Sequence, residues 1–353
     1  MLTVRTEYAW LCKADNTILT SNVRYDYIIM YMAISMDIVC STDCCYVMQT
    51  GIMLTSLFEN NREADIRVHV LHNGIDSNSL TLIERIAYDY GQKITFYLVD
   101  ETLFSAFPIG RDGQNTHVGT SYATYYRLLL SELLPDDINR VLYLDGDIIV
   151  TDSLNELWAT DMHDKAIAAV PDSYNNKIEH YNRLYYPQPL GYFNAGVLLI
   201  NLDYWRANNV ADAFCQYASA RPDSLYCHDQ DILNYVFRES KITLPLRYNM
   251  LNEYWFDIRH SVVSWEFDNQ MLYGQQHPAI IHYTGLPKPW FSNCRHPMKR
   301  EFERYRAMSP WRDVKERKWR TLKYCLEQMA VRTVVALGMR PQEYIDENKY
   351  IRI

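Results

Sequence analysis

Two aspartates at the end of an apolar run are the residues whose spacing most directly suggests chemistry. The run Val141–Leu144 is typical of a buried strand, stops at Asp145-Gly146-Asp147 and resumes as Ile148–Val150. Two carboxylates this close repel each other in a setting of low dielectric constant unless a cation lies beside them. The spacing therefore indicates a divalent metal site, although an Asp-Gly pair is also typical of a polar turn.

The elements that must position this turn alternate between strands and helices. We predict strands over residues 37–40, 66–71, 94–99, 141–144, 148–150, 166–170, 197–201 and 279–283, and helices over 47–58, 79–90, 120–134, 203–220 and 228–237. This alternation indicates an α/β fold in which a mostly parallel sheet is flanked by helices and ligands bind at the carboxyl ends of the strands. Asp43 and the acidic turn both follow such strand ends.

Other polar side chains follow predicted strands or begin a helix. Asp172 comes after the strand over 166–170, and a loop rich in Tyr, Asn and Pro is predicted over 173–190. Asp229 and Gln230 lie at the start of a helix, where Asp229 could serve only as a capping residue. His282 lies in a short strand near the end, and a lone histidine there is more often structural unless the acidic turn holds a metal.

Composition limits the classes of protein to which the chain can belong. It has 353 residues, a formal net charge of -8, 48% hydrophobic and 22% charged residues, which describe an ordinary globular protein and argue against nucleic acid as a partner. The eight cysteines form no Cys-x-x-Cys pair, and Cys44 and Cys45 are adjacent, so neither a zinc site nor a disulfide framework is indicated. A reducing cytoplasm is the expected compartment.

The sequence contains no apolar run of the roughly 18 residues that a spanning helix needs, and residues 1–35 lack a signal-peptide pattern. Residues 295–323 carry 11 Lys or Arg against 4 Asp or Glu, interleaved with aromatic residues. This composition suits contact with an anionic membrane surface, and equally a solvated helical pair packed on the rest of the protein.

Five segments, taken in order, resemble glycosyltransferase family 8, the retaining enzymes that use nucleotide-activated sugars on a GT-A fold. They cover residues 36–39, 141–147, 193–201, 229–233 and 282–290. The resemblance implies a GT-A catalytic domain with a Rossmann-like sheet over 36–290, between an N-terminal extension of unknown role (1–35) and a basic, aromatic helical region (291–353). Within the family, the sequence looks most like the bacterial galactosyl- and glucosyltransferases that extend lipopolysaccharide or lipooligosaccharide cores.

The resemblance implies a cofactor and a donor. Asp145, Asp147 and His282 would bind Mn²⁺, with Mg²⁺ as the alternative, and a mixed carboxylate and imidazole set suits a first-row ion. The ion would neutralise the charge that develops on UDP as it leaves UDP-glucose or UDP-galactose. Lys288 and the backbone of Gly285 would contact the phosphates.

The same resemblance assigns the remaining donor contacts. Asp43 and Tyr46 would hold the uracil, while Cys45 stands where the family often has an asparagine. Oriented donors and acceptors for the sugar hydroxyls would come from Arg127, Asp172, Asn194, Ala195, Asp229 and Gln230.

The reaction is predicted to retain the configuration of the sugar. Gln230 lies nearest the anomeric carbon by family position, but an amide is a poor nucleophile. Asp229 and Asp172 are chemically better nucleophiles, at a distance that the sequence leaves open. We therefore favour a same-face mechanism, in which the departing phosphate oxygen helps deprotonate the acceptor and Gln230 stabilises positive charge on the sugar.

The expected acceptor is a saccharide, either a glycan or a glycolipid, and the expected location is the cytoplasm, with peripheral contact at the inner membrane through 295–323. Two alternatives remain at this point. One is a self-glycosylating or sugar-nucleotide-binding scaffold, since 29 tyrosines offer acceptor hydroxyls. The other is a phosphatase of the haloacid dehalogenase type, which also uses an Asp-x-Asp turn after an apolar strand, but near its N-terminus.

Overall fold

The structure, a computed structural model, describes residues 34–108, 121–173, 175, 177–256, 265–319 and 333. The predictions for residues 1–33 and for most of 320–353 lie outside the described residues. The strands are β1 (Ser35–Thr42), β2 (Asp65–His72), β3 (Lys93–Leu98), β4 (Arg140–Leu144), β5 (Ile148–Val150), β6 (Ile167–Pro171), β7 (Phe193–Asn201), β8 (Lys241–Thr243), β9 (Met250–Leu251) and β10 (Ile280–His282).

The helices surround the sheet and vary widely in length. They are α1 (Val47–Asn60), α2 (Ser77–Asp89), α3 (Leu130–Leu133), α4 (Asn155–Trp158), α5 (Ile178–Leu184), α6 (Leu202–Ala207), α7 (Val210–Ala220), α8 (Asp229–Val236), α9 (Glu253–Phe256), α10 (Trp265–Gln276) and α11 (Lys299–Met308). Within the described residues, no helix is long and apolar enough to cross a membrane.

Seven strands form the central sheet in the order β3-β2-β1-β4-β7-β6-β8. Neighbouring strands are parallel except at β7, which runs antiparallel to both β4 and β6. The predicted α/β fold with a mostly parallel sheet is confirmed. Strands β1 and β4 are adjacent, so the segments that follow them, with Asp43 and the acidic turn, leave the same edge of the sheet.

A second, three-stranded sheet in the order β5-β10-β9 brings the end of the chain back to the acidic turn. Strand β10 pairs antiparallel with β5, which places His282 opposite Ile148. The backbone N–H of Tyr283 donates to Asp147 O at 3.1 Å, and the N–H of Asp145 donates to Gly196 O at 2.9 Å. The turn between β4 and β5 is thus held from both sides by backbone hydrogen bonds.

Two predicted helices are not continuous. The helix predicted over 203–220 is divided into α6 and α7, because Asn209 adopts a left-handed conformation with φ of 48°. Asparagine tolerates this conformation better than most residues, and apolar periodicity alone does not reveal such a break.

The helix predicted over 120–134 is, in its described part, a series of 3-10 turns at Tyr122–Thr124 and Tyr126–Leu129 that precede the short α3. The side chain of Arg127 turns inward here to meet acidic partners, which overrides the helical preference of the segment. The segment predicted as a loop over 173–190 contains α5, whose Tyr181 and Leu184 are buried in the core.

The described part of the C-terminal region packs on the domain. Phe302 and Tyr305 of α11 are buried in a cluster with Ile52 of α1 and Tyr283. A Cβ on Gly51 would clash with the Trp311 ring, so α1 and the segment after α11 approach closely at this glycine.

Candidate active site

The acidic turn and β10 bring three metal-ligating side chains together. His282 Nε2 lies 3.2 Å from Asp147 Oδ1 and 3.7 Å from Asp145 Oδ2. One ligand atom from each of these residues lies within 4.8 Å of the others. The predicted set thus forms a single cluster, although the carboxylates and the histidine are separated by more than 130 residues of chain.

The environment of the cluster fits a cation. Asn249 Nδ2 donates to Asn194 Oδ1 at 2.8 Å, so Asn249 Oδ1 is left to accept from His282 Nδ1 at 2.9 Å. This partner selects the tautomer in which the Nε2 lone pair faces the carboxylates, as in many metal sites. A Cβ on Gly196 would lie 2.2 Å from His282 Cε1 and 2.8 Å from Asp145 Oδ2, so only glycine leaves room for the set. The residues present therefore fit a small divalent ion.

Lys288 adds a positive charge beside this cluster. Its Nζ donates to Asp147 Oδ2 and to Tyr283 O, both at 2.6 Å. Burial alone would raise the pKa of Asp147, but Lys288 and His282 outweigh it and hold that pKa well below its usual range. A Cβ on nearby Gly285 would come within 2.5 Å of Asn252 Nδ2, so the loop that carries Lys288 packs closely at this glycine.

Asp43 and Tyr46 lie in the loop after β1, next to the acidic turn. Asp43 Oδ1 accepts from the N–H groups of Cys45 (2.9 Å) and Tyr46 (3.1 Å), and its Oδ2 accepts from Ser121 at 2.8 Å. The Tyr46 ring meets Trp290 edge to face, with centroids 5.8 Å apart. The two predicted nucleobase contacts therefore share one loop, and Asp43 fixes the shape of that loop.

Arg127 connects the acidic turn with the residues predicted to hold the sugar. It is buried, and its Nη2 donates to Asp145 Oδ1 at 2.7 Å while Nη1 donates to Ala195 O at 2.6 Å. Its Nε lies 3.0 Å from Asp229 Oδ2, and its guanidinium stacks over the Tyr143 ring at 4.2 Å. The arginine thus balances two of the acidic side chains of the site.

Asp229 is fully buried and only partly satisfied by hydrogen bonds. Its Oδ1 accepts from Thr124 Oγ1 at 3.0 Å, whereas Oδ2 has no hydrogen-bond donor in the described part of the chain, since the Arg127 Nε–H points to Thr124 O. Burial raises the pKa of Asp229 to about 6, opposed by Arg127 and reinforced by Asp145. This oxygen has an ion-pair partner in Arg127 and is left to accept a hydrogen bond from a ligand.

The amide of Gln230 is held on both sides. Its Oε1 accepts from Ala195 N (2.9 Å) and Asn194 Nδ2 (3.2 Å), and its Nε2 donates to Asp172 Oδ2 (3.1 Å) and Tyr192 OH (3.2 Å). The structure therefore brings six predicted residues into one connected network beside the metal-ligand cluster: Arg127, Asp172, Asn194, Ala195, Asp229 and Gln230.

Several residues of this network were not predicted. Asn249 orients His282, and Tyr192 links Gln230 to Asp231, whose carboxylate also receives Arg183. Asp231 lies in the segment over 229–233 that supports the family resemblance, so its pairing could have been suspected. For Asn249 and Tyr192 the sequence offers no signal, because their roles depend on strands and loops that are distant along the chain.

The fold and the site together define a glycosyltransferase with a GT-A fold. The chain belongs to glycosyl transferase family 8, whose sequence profile matches residues 37–294. Its structure is similar to that of the galactosyltransferase LgtC in complex with donor and acceptor sugar analogs, with a TM-score of 0.70, 29% identity and coverage of 78% of this chain and 96% of that chain. Family membership removes the phosphatase alternative.

Two bacterial proteins are among the relatives to which the chain is similar. It is 27% identical to general stress protein A of Bacillus subtilis over 285 residues, which are 79% of this chain and 96% of the relative. It is 29% identical to a lipopolysaccharide 1,2-glucosyltransferase of Escherichia coli over 276 residues, which are 77% of this chain and 78% of that enzyme.

Proposed function

We propose that this protein transfers glucose or galactose from the corresponding UDP-sugar to a saccharide acceptor, with retention of configuration, on a cell-surface glycan or lipopolysaccharide core. The cluster of Asp145, Asp147 and His282 beside Lys288 is the observation that carries the proposal. Three acidic or imidazole ligands with an adjacent ammonium group suit a diphosphate and its counter-ion. The similarity to a glucosyltransferase and to a galactosyltransferase supports the class of sugar.

Asp145, Asp147 and His282 would hold Mn²⁺ or Mg²⁺, which when bound neutralises charge on the departing diphosphate. Lys288 would donate to the phosphates after exchanging its contact with Asp147 Oδ2. Gly285 would let the backbone of the same loop come close to the phosphates. Asp43 and Tyr46 would bind the uracil, with the loop shape that Asp43 already fixes through Cys45 and Tyr46.

The sugar would lie against the network of Arg127, Asp172, Asn194, Ala195, Asp229 and Gln230. Both hydrogen bonds to Gln230 Oε1 come from protein donors, so its lone pairs are engaged and an attack on the anomeric carbon is disfavoured. We therefore assign Gln230 to positioning and stabilising the sugar in a same-face reaction. Asp229 and Asp172 remain the candidates for covalent attack if this assignment is wrong. A glycosyl adduct trapped on any of the three side chains would contradict the same-face mechanism.

The test is a screen of UDP-sugar hydrolysis with Mn²⁺, in which released UDP is measured for the wild-type protein and for Asp147→Asn. We expect UDP release from one or two UDP-hexoses and a loss of about a hundredfold or more in the variant, because a neutral amide is a weak metal ligand. Asp161→Asn is the matched control, since Asp161 is exposed and lies outside the site. Equal activity of Asp147→Asn and the wild type would contradict the metal assignment.

The scaffold alternative predicts a different product. A self-glycosylating protein would gain hexose on its own tyrosines, for instance on the exposed Tyr88 or Tyr185. Intact-mass measurement after incubation with the donor separates the two functions. A stable mass increase of one or more hexoses without transfer to any saccharide would favour the scaffold.

We also propose that the basic region, residues 295–323, makes peripheral contact with an anionic membrane that carries a lipid-linked acceptor. Its helix α11 buries Phe302 and Tyr305 against the domain, which leaves the charged side of the segment outward. Exposed basic side chains on the described part of this region are Arg295, Arg300, Arg304, Arg312, Lys315, Arg317 and Lys318. Cationic side chains near an anionic surface each contribute about 1 kcal/mol to binding.

A further inference from the structure

Two adjacent cysteines lie on the loop that carries the proposed nucleobase contacts. Cys44 and Cys45 are both exposed, and their Sγ atoms are 3.8 Å apart. In an extended strand, adjacent side chains point to opposite sides, so it is the turn after β1 that brings the two sulfurs together. The proposed function assigns no role to Cys44. Cys45 stands where the family often has an asparagine, so the resemblance supplies no role for two cysteines together.

The backbone around this pair is held by Asp43. Its Oδ1 accepts from the N–H groups of Cys45 and Tyr46. Tyr46 directly precedes Val47, the first residue of α1. Tyr46 also contacts the acidic turn, since a Cβ on Gly146 would lie 3.4 Å from Tyr46 Cδ1. Any rearrangement of the peptide bond between Cys44 and Cys45 is therefore transmitted to Asp43 and Tyr46.

A disulfide between neighbouring residues requires such a rearrangement. Consecutive Cα atoms are about 3.8 Å apart across a trans peptide, whereas disulfides usually join Cα atoms about 4.4 Å or more apart. The ring could close only by changing the backbone geometry that the two hydrogen bonds to Asp43 now fix. A disulfide formed under such constraint is also easily reduced, which is the property of a reversible switch.

We propose that Cys44 and Cys45 form a reversible dithiol switch, in which closure to a disulfide opens the 43–46 loop and weakens binding of the nucleotide. The effect on the nucleotide rests on the proposed function. The closure itself does not depend on it.

The oxidant would be a low-molecular-weight disulfide such as oxidised glutathione. One cysteine thiolate attacks it, forms a mixed disulfide and displaces one small thiolate. The second cysteine then attacks the protein sulfur of the mixed disulfide and displaces the other. The protein loses two electrons, the small disulfide gains them, and the two thiol protons end on the released small thiols.

The ionisation of the thiols decides at which pH the disulfide forms and which cysteines react. Through a hydrogen bond and its charge, Cys44 raises the pKa of Cys45, so exchange accelerates as the pH rises above neutrality. Burial raises the pKa of Cys40 and of Cys227 to about 12, which makes these two thiols poor competitors for the oxidant.

The experiment treats the protein with oxidised glutathione at pH 8.5 and then with dithiothreitol, with three measurements at each stage. Peptide mapping by mass spectrometry detects the Cys44–Cys45 link as a loss of two hydrogens. Hydrogen–deuterium exchange follows the amides of residues 43–50. Calorimetry with UDP and Mn²⁺ measures nucleotide affinity.

We expect a linked peptide, faster exchange over 43–50, and UDP affinity lower by about tenfold or more, the scale of one lost hydrogen bond. All three changes should reverse on reduction. Before oxidation, Cys44→Ser should bind UDP normally. With oxidised glutathione it should form no link and stop at a mixed disulfide on the exposed Cys45, whereas the control Cys215→Ser should form the link as the wild type does.

A stable mixed disulfide with glutathione in place of the link, unchanged amide exchange in the linked protein, or equal UDP affinity of the linked and reduced forms would each overturn the switch. Failure of the reduced protein to bind UDP at all would instead count against the proposed function. The mass and exchange measurements would still decide whether the dithiol closes and opens the loop.

Discussion

His282 is useful as a metal ligand only if its Nε2 lone pair faces the two aspartates, and a neighbouring asparagine controls this. Asn249 is fully buried, accepts from His282 Nδ1 and donates to Asn194. A side chain that binds the second ring nitrogen of a metal-ligating histidine fixes the orientation of that ring, and so influences metal affinity without touching the ion. The amide therefore links His282 to Asn194 and, through Asn194, to the network around Gln230.

We expect Asn249→Ala to weaken Mn²⁺ binding by about 10- to 100-fold, the range found when such supporting partners are lost. Titration of free Mn²⁺ by electron paramagnetic resonance measures this without any turnover. Asn249→Asp, which keeps an acceptor for His282 Nδ1, should retain more of the affinity than Asn249→Ala. If both variants bind Mn²⁺ as the wild type does, Asn249 has no orienting role.

Gly196 provides the space in which the ligand set fits. We expect Gly196→Ala to abolish Mn²⁺ binding, because its Cβ would lie 2.2 Å from His282 Cε1 and force the imidazole away from the carboxylates. Gly91→Ala is the control, since a Cβ there meets nothing within 4 Å but suffers from a φ of +67°. Both variants should lose thermal stability, while only Gly196→Ala should lose the ion. Normal Mn²⁺ affinity in Gly196→Ala would show that the cluster is not the metal site.

At the scale of elements, the contact between α11 and the domain contains a histidine that is held neutral. His296 Nδ1 accepts from the N–H of Met298 at 3.1 Å, and its ring packs edge-on against Tyr283, with centroids 4.8 Å apart. Burial lowers the pKa of His296 to about 4. Protonation at Nδ1 would break the bond from Met298 and place a charge among aromatic rings.

This lowered pKa makes stability depend on pH. The folded pKa lies below the unfolded value of about 6.5, so the contribution of His296 is fully present above pH 6.5 and is lost as the pH falls through 4. The loss approaches about 3 kcal/mol at the acid end. Denaturant unfolding between pH 7 and pH 4 should show a smaller fall in the free energy of unfolding for His296→Gln than for the wild type. For His163→Gln, at an exposed histidine, the free energy of unfolding should fall between pH 7 and pH 4 by as much as in the wild type. An equal fall in all three proteins would contradict the role assigned to His296.

The same elements show where local sequence patterns are sufficient and where they are not. Strands β1 and β4 follow their predicted segments, and β7 contains its segment, because continuous apolar runs between polar turns mark buried strands. Strands β2 and β3 also lie within one residue of their predicted bounds, although β3 has no buried side chain. The break between α6 and α7 and the 3-10 turns around Arg127 were missed, because they arise from one left-handed residue and from one buried guanidinium that must reach Asp145 and Asp229. Neither cause leaves a trace in hydrophobic periodicity.

At the scale of the whole molecule, charge is unevenly distributed, with a basic C-terminal region on a chain whose net charge is -8. If this region contacts an anionic membrane, reversal of three exposed charges in Arg300→Glu, Arg312→Glu and Lys315→Glu should reduce binding strongly, by about tenfold or more. Flotation with vesicles rich in phosphatidylglycerol measures the bound fraction.

A matched variant separates this effect from a change in net charge. Arg85→Glu, Lys93→Glu and Arg221→Glu reverse three exposed charges outside the basic region. This protein should float as the wild type does at low salt. Unchanged flotation of the C-terminal variant, or equal losses in both, would reject a membrane role for the basic region.

The sequence by itself determined the acidic turn at the end of a buried strand, the mostly parallel sheet and the order of motifs that marks the family. These depend on local runs of side chains and on the rule that parallel strands present their carboxyl ends together. Only the tertiary structure decided that Asn249 orients His282, that Gln230 Oε1 is already engaged, and that the two sulfurs after β1 lie side by side. Such contacts depend on which distant segments pair and on the directions of individual bonds, which a linear pattern of residue types does not specify.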